Sequence, residues 1–342
     1  MKSKFNLLLI LVLVGAAFAM AADAPKYQLA NRFAVAGDGG WDYLAYDATS
    51  NRLFITRGTH VMVLDAASGK SLGDIPDTAG VHGVALAPDL GLGATSNGRA
   101  NTVTIFDLKT LQKKSEVKAG GNPDALLYDP ASHLLFAFNG RSNDATAIDP
   151  VKGVAVATIP LSGKPEFAAS DERGRIFVNI EDKNELTAID VKKLAVAATW
   201  PLKGCEEPSG LAIDAKNNRL FSVCGNQVMT VVDSTSGKLV ATVPIGKHPD
   251  AAGFDPNAHL VFSSNGEGTL TVAHQDSPDK YTVVQTVSTA AGARTMTLDP
   301  ASHTIYLVTA KFGPAPAPTE AQPHPRPAML PGSFEVLVVS LK

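Results

Sequence analysis

The chain is poor in the residues that most directly advertise chemistry. It has two cysteines, two tryptophans and 6% aromatic residues in 342. It contains no C-x-x-C-H run for covalent haem, no H-E-x-x-H zinc helix and no G-x-S-x-G nucleophile elbow. The stretch "GLGATSNG" (91–98) has the wrong spacing for a dinucleotide fingerprint and sits in a strand-rich context. A basic stripe is also missing. The formal charge is −3, with 30 Lys and Arg against 33 Asp and Glu, which disfavours general binding to nucleic-acid backbones. Twelve-residue helical stripes are absent, and so are long apolar runs beyond the first 21 residues.

That first run, "MKSKFNLLLILVLVGAAFAMAADAP", places Lys2 and Lys4 before a short apolar core and ends in small residues at Ala19 and Ala21. It reads as a secretory signal peptide over 1–21, which predicts a periplasmic or secreted protein with no membrane span after cleavage. The remaining chain, 22–342, carries a formal charge of −5. In an oxidising compartment Cys205 and Cys224 read as a disulfide, with a redox or soft-metal pair as the alternative.

What the chain does have is repetition. "WDYLAYDATSNRLFIT" (41–56), "PDALLYDPASHLLFAF" (123–138), "PSGLAIDAKNNRLFSV" (208–223) and four further segments say nearly the same thing. Taking Asp47, Ala87, Asp129, Asp171, Asp214, Asp255 and Asp299 as markers, the steps are 40, 42, 42, 43, 41 and 44 residues. Each unit holds four short alternating runs; in the third they are 124–129, 133–138, 144–150 and 153–161. Four strands in 40–45 residues make the blade of a β-propeller. The fold class is therefore all-β, seven blades of four antiparallel strands, in one domain. The seventh unit lacks a fourth strand, and "YQLANRFAVAG" (27–37) has the pattern of one, so the N-terminal strand is expected to close the last blade.

The segments "PDALLYDPASHLLFAFNG", "PSGLAIDAKNNRLFSVCGN" and "NTVTIFDLKT" resemble the YVTN-type β-propeller repeats of the secreted YncE-like family, across essentially all of 22–342. The resemblance implies a seven-bladed propeller exported to the periplasm. Propellers of this kind serve as binding scaffolds, lactonases, lyases and cofactor-associated proteins. The tetrapeptide itself is degraded here to "LFIT", "FAFN", "IFVN" and "VFSS".

The residue preceding each inner strand is Asp42, His82, Asp124, Glu166, Ser209, Asp250 and Arg294. Equivalent positions on seven blades form a ring at one mouth of the central channel. A solvated channel mouth accounts for such a ring. So does a ligand site, in which carboxylates suit a divalent cation such as Ca²⁺, Mg²⁺ or Mn²⁺ held by Asp42, Glu166 and Asp250. Loops between second and third strands add Arg57, Arg99, Arg141 and Lys183, a cationic sector beside the acidic one, although the Asn-Gly pairs there also suit tight turns. The Pro-rich segment 312–332 interrupts the last blade on the same face, as a surface insertion or as a flap bringing His324 and Arg326 to the ligand. Trp41 adjoins the ring, either as an aromatic wall or as blade core. His133, His259 and His303 occupy equivalent turns at the opposite end and read as turn residues.

The function expected is that of a monomeric, exported binding or accessory protein presenting this ring to a small polar ligand or a protein partner. The alternative is a metal-dependent hydrolase of lactonase type, a lyase or an isomerase using the same carboxylates.

Overall fold

The computed structural model describes residues 26–37, 39–317, 319 and 327–342. The expected signal segment, His324 and Arg326 lie outside them. The described chain forms seven four-stranded antiparallel sheets. Blade 1 comprises Leu44–Asp47, Arg52–Thr56, Val61–Asp65 and Ser71–Ile75, from the axis outward, and blades 2 to 6 repeat that order. Blade 7 takes Met296–Asp299, Thr304–Thr309 and Glu335–Leu341 from one end of the chain and Tyr27–Ala34 from the other. The N-terminal strand thus closes the ring, pairing antiparallel from Tyr27 with Leu341 to Ala34 with Glu335.

The core lies between the blades. Strand residues alternate faces, so neighbours in sequence pack against different blades. Leu135 joins a cluster with Ala94 and Ile105 of blade 2, whereas Phe136 joins Ile176 and Val178 of blade 4. Ile176 faces back to blade 3, and Phe177 faces on to Leu220 of blade 5. Each such buried ring or branched chain contributes about 1.5–3 kcal/mol. Tyr27 seals the closure: it is buried against Phe262 of blade 6, and its backbone N–H and C=O bind both ends of the Gln285 amide at 2.8 and 2.7 Å.

The repeated Asp is a turn device. Asp47, Asp129, Asp214, Asp255 and Asp299 are buried, and each accepts backbone N–H bonds two or three residues on, as Asp129 does from Ser132 at 3.0 Å. Next comes a left-handed residue, which in three blades is His133, His259 or His303, at φ between 53° and 57°. These histidines sit on separate blades. His133 bonds Asp89 and His303 bonds Asp255, as expected of turn residues. At the outer turn of blade 5, Gly237 at φ 70° lies under Trp200, where a Cβ would fall 2.1 Å from the indole. Trp200 is therefore packing, not a ligand contact.

Cys205 and Cys224 form a buried disulfide with Cα atoms 5.3 Å apart, tying the approach to the inner strand of blade 5 to the end of its second strand. No helix among the described residues is long and apolar enough to cross a membrane.

Candidate functional site

The ring positions are aimed by a recurring irregularity. In blades 2 to 6 the inner strand's pairing shifts register at its start, between Val81 and Val84, Pro123 and Leu126, Pro165 and Ala168, Pro208 and Leu211, and Pro249 and Ala251. His82, Asp124, Glu166, Ser209 and Asp250 are the residues inside those bulges. A bulge releases a residue from the ladder and re-aims its side chain. The second strands brace this geometry across blades. Asn179 Nδ2 donates to Ser209 O at 2.9 Å, and the hydroxyls of Ser96 and Ser264 donate to the carbonyls of Asp124 and Arg294.

The result is a polar well of about 390 Å³, lined by Asp42, Asp124, Glu166, Ser209, Asp250 and Arg294 of the ring. Tyr43, Lys164 and Glu181 complete it. Its floor is aromatic: Tyr43 of blade 1 and Phe167 of blade 4 meet across the axis with centroids 4.6 Å apart. Below lies a separate apolar chamber of about 240 Å³, lined by groups such as Leu44, Val84, Leu126, Met296 and Leu298. The ring therefore rims a well with a floor, rather than an open pore.

The charges within are only partly matched. His82 Nδ1 lies 2.7 Å from Asp42 Oδ2 and 3.8 Å from Asp124 Oδ1. Lys164 Nζ bridges Glu166, at 2.6 Å, and Glu181. Arg294 Nε lies 3.4 Å from Asp250. Five carboxylates share these partners. Burial pushes the Glu166 carboxyl up to about 8, reinforced by the charge of Asp124. Burial likewise lifts Asp124 and Asp250 to about 6 each. The hydrogen bond that His82 Nδ1 donates to the Asp42 carboxylate raises His82 above its usual value. Burial and the surrounding carboxylates hold the Tyr43 phenol far above its ordinary range, so it remains a neutral hydroxyl.

A second hollow of about 520 Å³ adjoins the well, and Asp42 and Arg294 line both. Its other walls include Trp41, His82, Asn122, Arg99 and Arg141. The expected cationic sector is therefore gathered only in part. Arg57 is fully buried: its guanidinium lies 3.7 Å from the Phe334 ring centre and donates to the carbonyls of Gly37 and Gly39 at 3.0 and 3.1 Å. It is covered by the N-terminal connection that follows ring closure, so it is not a solvent-facing ligand residue. Lys183 lies 3.6 Å from Asp182 at the surface and does not line either hollow.

Of the expected metal ligands Asp42, Glu166 and Asp250, Asp42 belongs to a compact group of potential ligand atoms among the described residues. The tightest group of potential ligands among the described residues is Asp42, His82 and Asp124, whose ligating atoms lie within 4.8 Å of one another. Glu166 and Asp250 are instead engaged by Lys164 and Arg294. Sequence reasoning missed Tyr43, Lys164 and Glu181. Lys164 stands two residues before a ring position, and Glu181 opens the "EDKN" loop from which Lys183 was chosen.

The stem of the Pro-rich insertion is ordered. Phe312 bridges to Met329, Gly313 N donates to Ala328 O at 2.9 Å, and Leu330 N donates to Lys311 O at 2.8 Å. Trp41 packs between Phe312 and Phe334, with centroids at 5.9 and 5.4 Å, so the insertion rises beside the second hollow.

No protein-family model matches the chain, and no curated protein does. Solved structures match its architecture. A chain of the Kuenenia stuttgartiensis hydrazine synthase superposes with a TM-score of 0.68 at 18% identity, covering 80% of this chain and 94% of that one. A chain of the mitotic checkpoint complex gives 0.73 at 14% identity, covering 98% of each. At such identities the likeness is one of fold.

Proposed function

We propose that the protein is an exported propeller that binds a small, polar, positively charged ligand in the well at one end of its axis. The carrying observation is the well itself, where Asp42, Asp124, Glu166, Glu181 and Asp250 face only Lys164, Arg294 and a neighbouring His82 for charge balance. Holding carboxylates together under burial is costly, and a cation entering the well relieves that cost. The volume falls within the range of small-molecule sites and exceeds what a bare ion needs. Export is supported by the N-terminal sequence, the resemblance to YVTN-type repeats and a disulfide that fits an oxidising compartment.

The test is calorimetric titration with 1,5-diaminopentane as a cation probe. Binding by the wild type, lost in the Asp124→Asn/Asp250→Asn double variant, supports the reading; equal heats from both proteins overturn it.

A metal-dependent hydrolase, lyase or isomerase is the second reading, favoured by the Asp42, His82 and Asp124 group. Those three would hold a divalent cation that polarises a carbonyl or activates water. Elemental analysis before and after chelation decides it: a stoichiometric ion lost in His82→Ala supports metal chemistry, and background metal counts against it.

A further inference from the structure

The cationic hollow next to the well has a bearing on what the ligand is, taking the proposed binding role as given. Arg99 and Arg141 are exposed, line the same hollow, and make no ion pair among the described residues. In a chain of net negative charge, two unmatched guanidinium groups lining one hollow offer a receptor for an anion, since each presents a planar fork of donors suited to a carboxylate. Arg294 reaches this hollow too, while its Nε faces Asp250 in the well. Asp42 and Arg294 line both spaces, so the two hollows adjoin, one acidic and the other cationic. Ser209 adds a hydroxyl to the acidic end, where an ammonium group's three donors need acceptors.

From this juxtaposition we infer that the ligand is a zwitterion, with an ammonium group seated among Asp124, Glu166 and Asp250 and a carboxylate held by Arg99 and Arg141. The charged ends fall in adjoining hollows rather than one, so they are separated by several bonds. An ω-amino acid, or a side chain and terminus of equivalent span, fits; glycine does not. A simple diamine fills the well and leaves the arginines unmatched. A dicarboxylate meets the arginines but is repelled by the well.

The experiment is a calorimetric series on the full protein at low ionic strength. The probes are glycine, 4-aminobutyrate, 6-aminohexanoate, 8-aminooctanoate, 1,5-diaminopentane and adipate. The expected result is an affinity optimum at one of the longer amino acids, at least tenfold tighter than diamine or adipate. Arg99→Gln/Arg141→Gln then reduces that amino acid to the affinity of the diamine and leaves the diamine unchanged, whereas Asp124→Asn/Asp250→Asn weakens both. Circular dichroism of each variant checks that it is folded. A diamine that binds as tightly as every amino acid, with no effect of the arginine changes, overturns the zwitterion and leaves cation binding standing. No heat from any probe on the wild type overturns both.

Discussion

Tyr43 and Phe167 stack across the propeller axis, from blades 1 and 4, with ring centroids 4.6 Å apart and planes 32° from parallel. This contact divides the axial space into a polar well and an apolar chamber of about 240 Å³. Phe167→Ala removes half of the partition. The variant is expected to lose about 1–3 kcal/mol of stability, less than a fully buried Phe→Ala because Phe167 is only partly buried. It is also expected to bind hexylamine more tightly than the wild type, because the alkyl tail gains access to the chamber, while 1,5-diaminopentane changes little. Unchanged hexylamine affinity, measured by calorimetry, means that the rings do not form the floor.

The well is held at a cost to the fold. Burial raises Asp250 to about 6, and charges at Asp42 and Asp124 add to that while Arg294 opposes it. Two pKa units correspond to roughly 2–3 kcal/mol disfavouring the ionised form. Asp250→Asn removes that charge and is expected to raise the melting temperature of the ligand-free protein by a few degrees while weakening cation binding. A lower melting temperature would show that the pair with Arg294 outweighs the burial cost.

The same groups set a pH trend. Glu166 stands at about 8 against an ordinary 4.5, and Asp124 and Asp250 at about 6 against 3.8. His82 is raised above 6.5 by its bond to Asp42. In each case the folded protein holds its proton to higher pH than the unfolded chain, so stability declines as pH rises through the folded value. The carboxyls act between about pH 4 and 8, and His82 acts above about 6.5. Carboxylates such as Asp47, Asp233 and Asp276 are shifted downward, so they are ionised in both states above pH 5 and do not oppose the trend. Denaturation midpoints of the ligand-free protein should therefore fall steadily from pH 5 to 8.5. A rise over that range contradicts the electrostatics described for the well.

The Cys205–Cys224 bridge closes a loop with a sequence separation of 19 beside Ser209. Loops of this length contribute about 3 kcal/mol. Cys205→Ser/Cys224→Ser should lower the urea midpoint accordingly and leave cation binding intact. Loss of binding at temperatures where the variant is folded would give the bridge a role in shaping the site.

The fold was legible because repetition is a property of spacing. The period placed every blade, and it placed the ring, since Asp42 to Arg294 are related by the same steps as the turn aspartates. Matching of charge within the ring was not legible. That Lys164 lies on both Glu166 and Glu181, or that Asp42 rather than Glu166 meets His82, depends on side-chain directions that bulges set. Arg57 was misread for another reason. Its repeat-equivalent partners are at the surface, but the connection from the outer strand of blade 7 to the inner strand of blade 1, longer than its counterparts between the other blades, lies over it. Tyr43 escaped notice because it looks like any inner-strand aromatic until its partner on blade 4 is seen.

The central claim is that a cation entering the well stabilises the ionised form of buried, partly protonated carboxyl groups. Calorimetry of 1,5-diaminopentane binding at pH 7, repeated in two buffers of different ionisation enthalpy, measures the protons exchanged. A net release is expected, because the bound cation lowers the elevated values of Glu166, Asp124 and Asp250. Binding with no proton release, or no binding, would contradict it.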